Sequence, residues 1–130
     1  MPAEPRSPFQ YTLLRAVPEL ERGECLNAGV ILFARTLHYL AARVELDEER
    51  LLTLAPQADP KRVGDHLQAL ARVAAGEAGA GPIARLPPSE RFNWLAAPSS
   101  TVVQPSAVHT GLCTDPEATL DRLFARLVRR

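Results

Sequence analysis

Apolar and polar residues alternate along the first half of the chain. In FQYTLLRAV, Phe9, Tyr11 and Leu13 alternate with polar residues, which is the period of two expected of a half-buried strand. The segment GVILFA, residues 29–34, is apolar on both faces and predicts a central strand. YLAARVEL, residues 39–46, alternates again, and the short link before it predicts an antiparallel hairpin.

Helix-start signals appear in the second part of the chain. Asp47 precedes EERLLTL, and Asp59 and Asp115 are each followed directly by a proline. An aspartate cap with proline at the first helical position is a strong start signal. The first signal predicts a short helix over EERLLTL, which Pro56 ends. Apolar residues at helical spacing follow the other two signals, so helices are predicted there as well.

The predicted order is three strands, two helices, an irregular segment and a closing helix. Within the irregular segment, residues 101–103 and 107–113 predict one or two short later strands. This order is typical of an α+β fold, in which helices pack on one face of a small, mostly antiparallel sheet. A chain of 130 residues is predicted to form one domain over 1–130, with residues 1–8 as a disordered N-terminal tail.

The composition argues against nucleic acid and anionic membranes as partners. Fifteen basic and fifteen acidic residues give a net charge of zero, so no global charge favours nucleic acid or an anionic membrane. The N-terminus lacks the apolar run of a signal peptide, which predicts a cytoplasmic protein. Cys25 and Cys113 are then expected as reduced thiols, and their wide spacing is neither a disulfide framework nor a zinc signature. No metal or cofactor is predicted.

The first polar stretch is ELERGECLNAG, residues 19–29, between the first two strands. It carries Arg22, Glu24 and Asn27, and Arg15 stands just before it. Two interpretations remain open. The stretch forms a mixed-charge pocket for an anion or polar ligand, or Arg22 and Glu24 pair on the surface while Asn27 shapes the turn.

The second polar stretch is ERFNWLAAPSSTVVQPSAVHTGLC, residues 90–113. Ser100 and His109 with a carboxylate could form a nucleophile–base site, although the sequence has no Gly-x-Ser-x-Gly elbow. The backbone of SST with Arg91 or Arg22 could instead hold an oxyanion. A third interpretation is that the serines and threonines only order their own loop. Trp94 is interpreted as a core anchor.

Two long segments of the sequence resemble a known bacterial family. YTLLRAVPELERGECLNAGVILF and ERFNWLAAPSSTVVQPSAVHTGLCTDPEATLDRLFARLV are similar to the family called domain of unknown function 3037, over nearly the whole chain. The departures are Cys25 and Leu26, where the family usually has an aromatic and a β-branched residue. The positions that match the family's sequence motifs are Arg15, Glu24, Asn27, Gly29, Arg91, Trp94, Pro98, Ser100, Thr101, Gln104, His109, Thr110 and Gly111.

The resemblance implies a partner rather than a reaction. The family has no established catalytic residue that could be carried over to this sequence. Its genes often lie beside genes for HipA-like kinases, which suggests such a kinase as a protein partner. The leading hypothesis is a non-enzymatic binding or accessory module for a protein partner or a small anionic ligand. Its predicted ligand-binding residues are Arg15, Arg22, Glu24, Asn27, Arg91, Ser100, Thr101, Gln104, His109 and Thr110.

The alternative hypothesis is a hydrolase or transferase that acts on a phosphate ester or an acyl group. In it His109 is the acid or base, Ser100 the nucleophile or phosphate contact, and Arg91 and Arg15 stabilise charge. Both hypotheses require the two polar stretches to become neighbours beside a shared hollow.

Overall fold

The computed structural model describes residues 5–129, and within that range one sheet and four α-helices make up the fold. The strands are β1 (Ser7–Ala16), β2 (Leu26–Ala34), β3 (Tyr39–Val44), β4 (Val103–Pro105) and β5 (His109–Cys113). The helices are α1 (Glu48–Leu54), α2 (Pro60–Ala74), α3 (Pro88–Ala96) and α4 (Pro116–Leu127).

The sheet is antiparallel throughout, with strand order β3-β2-β1-β4. The strand β5 also pairs with β1, so two short strands share one edge of β1. Residues 7–11 of β1 pair with β5, and residues 14–16 pair with β4. The predicted α+β class, with three early strands and two short later ones, is confirmed.

Helices cover both faces of the sheet rather than one. Ile31 and Phe33 of β2 belong to the core under α1, α2 and α3, whereas Val30 and Leu32 belong to a second core under α4. All four side chains are buried. A strand that is apolar on both faces needs an apolar cover on both faces, and α4 supplies the second one. The prediction of helices on a single face therefore holds for α1 to α3 but not for α4.

Aspartate caps begin three of the helices where the sequence predicted them. The Asp47 carboxylate accepts the Arg50 backbone N–H at 3.1 Å, and that of Asp59 accepts the Arg62 N–H at 3.2 Å. The Asp115 carboxylate accepts two N–H groups of the first turn of α4. Each cap satisfies backbone donors that have no partner inside the helix.

The helix α3 was not predicted by the sequence pattern. It starts with Pro88 and buries Phe92 and Leu95, and Phe92 packs against Phe33 with ring centroids 5.3 Å apart. Trp94 lies on the other side of the helix and is 47% exposed. The interpretation of Trp94 as a core anchor is wrong, because Phe92 fills that role.

The predicted tail ends too late. Ser7 and Pro8 belong to β1, where they pair with Cys113 and Leu112. Pro8 is tolerated because β2 pairs with β1 only from Gln10 onward, so one side of the strand needs no N–H donor there. Residues 1–4 of the predicted tail lie outside the described residues.

Candidate functional site

One residue from each polar stretch lies next to Arg15 on β1. Arg15 is the cross-strand partner of Asn27 on β2 and of Gln104 on β4. Cross-strand partners point to the same face of a sheet, and for this row that is the face covered by α4, because Asn27 Nδ2 donates to the Leu127 carbonyl at 3.0 Å. All three side chains are half-buried. We call Arg15, Asn27 and Gln104 the polar row.

Arg22 and Glu24 lie apart in the exposed loop between β1 and β2. Arg22 Nε donates to Glu24 Oε1 and lies 3.6 Å from Glu19 Oε2. The hydrogen bond from Arg22, together with its charge, lowers the pKa of the Glu24 carboxyl, and the same contact raises the pKa of Arg22. This geometry is that of the surface ion pair considered above, and no described hydrogen bond connects it to the polar row.

Arg91 serves the packing of α3. One Nη donates to the Leu86 carbonyl at 2.8 Å, and the other reaches the Ala74 carbonyl in the last turn of α2 at 3.4 Å. Gly76, two residues after α2 and with φ +66°, leaves room for this guanidinium, because a Cβ at position 76 would lie 3.2 Å from Arg91 Cζ. A cation at a helix C-terminus is favourable, so Arg91 ties α3 to α2 and lies outside the polar row.

Ser100 and Thr101 belong to a loop that bonds mainly to itself. The Thr101 hydroxyl donates to the Val103 carbonyl at 2.8 Å and lies 3.0 Å from the Ser99 hydroxyl. Gln104 Nε2 donates to the Thr101 carbonyl at 3.0 Å. Ser100 is exposed beside them. These contacts match the interpretation of a self-ordered loop.

His109 and Thr110 lie on β5, opposite the middle of β1. His109 pairs with Tyr11, and their ring centroids are 5.2 Å apart, whereas Thr110 points to the opposite face beside Gln10. The loop that holds Ser100 enters β4 through a bond from the Val17 N–H to the Val102 carbonyl. Tyr11 and Val17 are about 20 Å apart along the strand at roughly 3.3 Å per residue. His109 and Ser100 are therefore not brought together.

A buried pair of hydroxyls joins the two halves of the β1 edge. The Ser106 hydroxyl accepts the Leu13 N–H at 2.8 Å, and the Ser106 N–H donates to the Leu13 carbonyl at 2.8 Å. The Thr12 hydroxyl donates to the Ser106 carbonyl at 2.9 Å. Thr12 and Ser106 are both buried. Ser106 thus completes the β1 ladder at the bend between β4 and β5, a role that the sequence patterns did not single out.

A second surface lies on the opposite face, beside Trp94. A groove of about 330 Å³ lies among β1, α2, α3 and β4, with a mainly apolar lining to which His66, Ser99 and Thr101 add polar side chains. We call this the Trp94 groove. Its apolar lining consists of Leu14, Leu70, Trp94, Leu95, Ala97, Pro98, Val103 and Pro105.

A further cavity of about 590 Å³ borders the polar row at Asn27. Arg129 and Glu45, which both line it, form an ion pair of 2.7 Å between Nε and Oε2, and Asp47, another lining residue, caps α1. Arg50 also lines this cavity. Most of its charges therefore already have protein partners.

Residues 5–129 contain neither a cluster of metal ligands nor a membrane-spanning helix. No three His, Cys, Asp or Glu side chains of this range lie together as metal ligands would. None of the helices in the same range combines the length and apolar character needed to cross a membrane. Cys25 is an exposed free cysteine, and Cys113 is a buried one.

Comparison of the sequence with known proteins assigns the chain to a family. No curated protein and no solved structure matches it. A family model does match residues 11–128, which is nearly the whole chain and includes the polar row and the Trp94 groove. The chain belongs to the family described as a protein of unknown function, DUF3037.

Proposed function

We propose that this chain is a non-enzymatic binding module that docks an apolar segment of a protein partner in the Trp94 groove. The observation that carries the proposal is the position of Trp94, the only tryptophan of the chain, with its side chain 47% exposed next to an apolar groove. Tryptophan is enriched where binding energy is concentrated in protein interfaces.

The surroundings of Trp94 support docking rather than simple packing. Phe92 and Leu95 already anchor α3 in the core, so the fold does not require a large aromatic side chain at position 94. The groove is lined from four elements, β1, α2, α3 and β4, and its lining includes Pro98 and Pro105, whose rings present rigid apolar surface. A rigid apolar groove loses little conformational entropy when it binds.

The polar residues that line the groove can orient a bound segment. Ser99, Thr101 and His66 add polar side chains to its mainly apolar lining. Polar groups around an apolar centre are the usual arrangement of protein interfaces. The family resemblance suggests a HipA-like kinase as the partner, and we propose it as the first one to test.

The alternative of a hydrolase or transferase has weaker support. It needs a serine nucleophile within hydrogen-bond reach of a histidine base. His109 pairs with Tyr11 in the middle of β1, whereas the loop that holds Ser100 meets the chain at Val17, six residues further on. We therefore retain it only as the second hypothesis.

The proposal is tested by titrating the chain with a purified HipA-like kinase from the same genome. A single 5-fluorotryptophan label at Trp94 gives one ¹⁹F resonance, which should shift and saturate with the kinase. Trp94→Ala should weaken the affinity, measured by calorimetry, about 30-fold or more, the effect of losing about 2 kcal/mol at an interface hot spot.

Leu112→Ala is the matched control. Leu112 is 58% exposed on β5 and lies outside the Trp94 groove, so its truncation should leave the affinity unchanged. Saturable kinase binding without a shift of the Trp94 resonance would show that the groove is not the docking site. Absence of any binding would remove the kinase as the partner.

A further inference from the structure

We infer that the polar row binds an oxyanion, the carboxylate or phosphate group of a small ligand, with Arg15 as its principal contact. This site lies on the face of the sheet opposite the Trp94 groove, and it does not depend on the docking proposed above.

Arg15 is the charged residue of the polar row, and it forms no ion pair with another described residue. On the same face of the sheet, Arg43 pairs with Asp121 at 3.1 Å and Arg129 pairs with Glu45 at 2.7 Å. Among the described residues, no carboxylate lies within salt-bridge distance of Arg15, although its side chain is half-buried. Arginine side chains removed from water are normally paired with an anion.

The two neighbours of Arg15 present further donors. Asn27 Nδ2 donates one N–H to the Leu127 carbonyl, and Gln104 Nε2 donates one to the Thr101 carbonyl, both at 3.0 Å. These bonds fix which end of each amide is the nitrogen. Each NH₂ group keeps a second N–H, and the strands that carry them lie about 4.8 Å from β1 on either side. The row can thus offer a guanidinium fork between two amide donors.

The last turn of α4 adds a second cation on the same side. Glu117 and Asp121 face β3, because both contact Arg43. Arg126 follows Glu117 by nine residues, which at about 100° per residue places it on the opposite flank of the helix, toward β1 and β4. Within the described range Arg126 has no ion-pair partner, and the Asn27–Leu127 bond places its helical turn against Asn27, at the β2 end of the polar row. Planar guanidinium groups bind carboxylate and phosphate through paired hydrogen bonds.

A structural role for Arg15 predicts a different result. A cation beside the C-terminus of α4 also stabilises the helix dipole, and a residue with that role alone would affect stability but not anion binding. Anion binding therefore has to be measured separately from stability.

The test is an amide NMR titration with inorganic phosphate and, separately, with acetate, at constant ionic strength. Saturable shifts are expected at the amides of Arg15, Asn27 and Gln104, and the stronger of the two probes identifies the ligand group. Arg15→Gln should weaken that affinity about tenfold or more, as expected for the loss of a charge-assisted paired contact. Arg126→Gln, on the exposed surface, should weaken it severalfold without changing the fold.

Arg22→Gln removes the same charge from an exposed loop and is the control. Equal weakening by Arg22→Gln and Arg15→Gln would mean that general electrostatics, not the row, attracts the anion. The inference is also overturned if neither probe gives saturable shifts at millimolar concentration. If Arg15→Gln does not fold, Arg126→Gln and the positions of the shifted amides in the wild-type chain still decide the question.

Discussion

Replacing Ser106 by alanine should destabilise the protein far more than its small size suggests. The change removes the hydroxyl that accepts the Leu13 N–H at 2.8 Å. Ser106 is only 7% exposed, so water cannot readily satisfy that donor. A buried backbone donor without a partner costs about 1–3 kcal/mol, and we expect about 2 kcal/mol for Ser106→Ala.

Thermal and urea denaturation followed by circular dichroism measure this cost. For a domain of this size, 2 kcal/mol corresponds to a fall in the midpoint temperature of about 8 °C. Ser100→Ala makes the same chemical change at an exposed serine six residues earlier, and it should stay within about 0.5 kcal/mol of the wild type.

A double-mutant cycle with Thr12→Val examines the pair directly. The Thr12 and Ser106 hydroxyls are 3.3 Å apart, and Thr12 also donates to the Ser106 carbonyl. Residues in such direct contact should show a coupling energy of about 0.5 kcal/mol or more. If Ser106→Ala costs no more than Ser100→Ala, Ser106 does not hold the edge of β1, and the account of the bend between β4 and β5 is wrong.

Two further predictions concern packing and ionisation. Gly111→Ala should destabilise the protein by about 1–3 kcal/mol in urea denaturation, because a Cβ there would lie 2.6 Å from the buried Phe9 ring; Gly64→Ala, in α2 with nothing within 4 Å, should instead be neutral or stabilising. Burial raises the pKa of the Tyr39 phenol, so tyrosine absorbance at 295 nm should show one group that ionises at higher pH than a free tyrosine, and Tyr39→Phe should remove it. Since the folded form holds that proton more tightly, the contribution of Tyr39 to stability is present below pH 10 and is lost as pH rises through its raised pKa; a titration curve that Tyr39→Phe leaves unchanged at its high-pH end would contradict this assignment.

The sequence predicted secondary structure well wherever alternation or a helix cap was present. Alternation located the early strands, and the Asp47, Asp59 and Asp115 caps located three helices. The helix α3 was missed because it has no side-chain cap and buries only Phe92 and Leu95. The signal that could have found it was Pro88 followed by apolar residues at helical spacing.

The candidate site was harder to predict because it depends on strand pairing. Cross-strand register brings Arg15 next to Asn27 and Gln104, although Gln104 is 89 residues away in sequence from Arg15. The same pairing places His109 opposite Tyr11, four residues before Arg15 on β1. Composition could not separate Arg91, whose guanidinium is used by backbone carbonyls, from an arginine without a protein partner. Nor could it show that Trp94 faces solvent, because Phe92 two positions earlier was an equally plausible core residue.

The three-residue ladder between β1 and β4 has a mechanical consequence. Leu14 and Pro105 line the groove on one face, while their chain neighbours Arg15 and Gln104 point to the other. Any displacement of β4 that widens one surface must also move Gln104 relative to Arg15, since alternate residues share one backbone. Occupants of the two faces would then be thermodynamically linked, each altering the affinity of the other by the same factor.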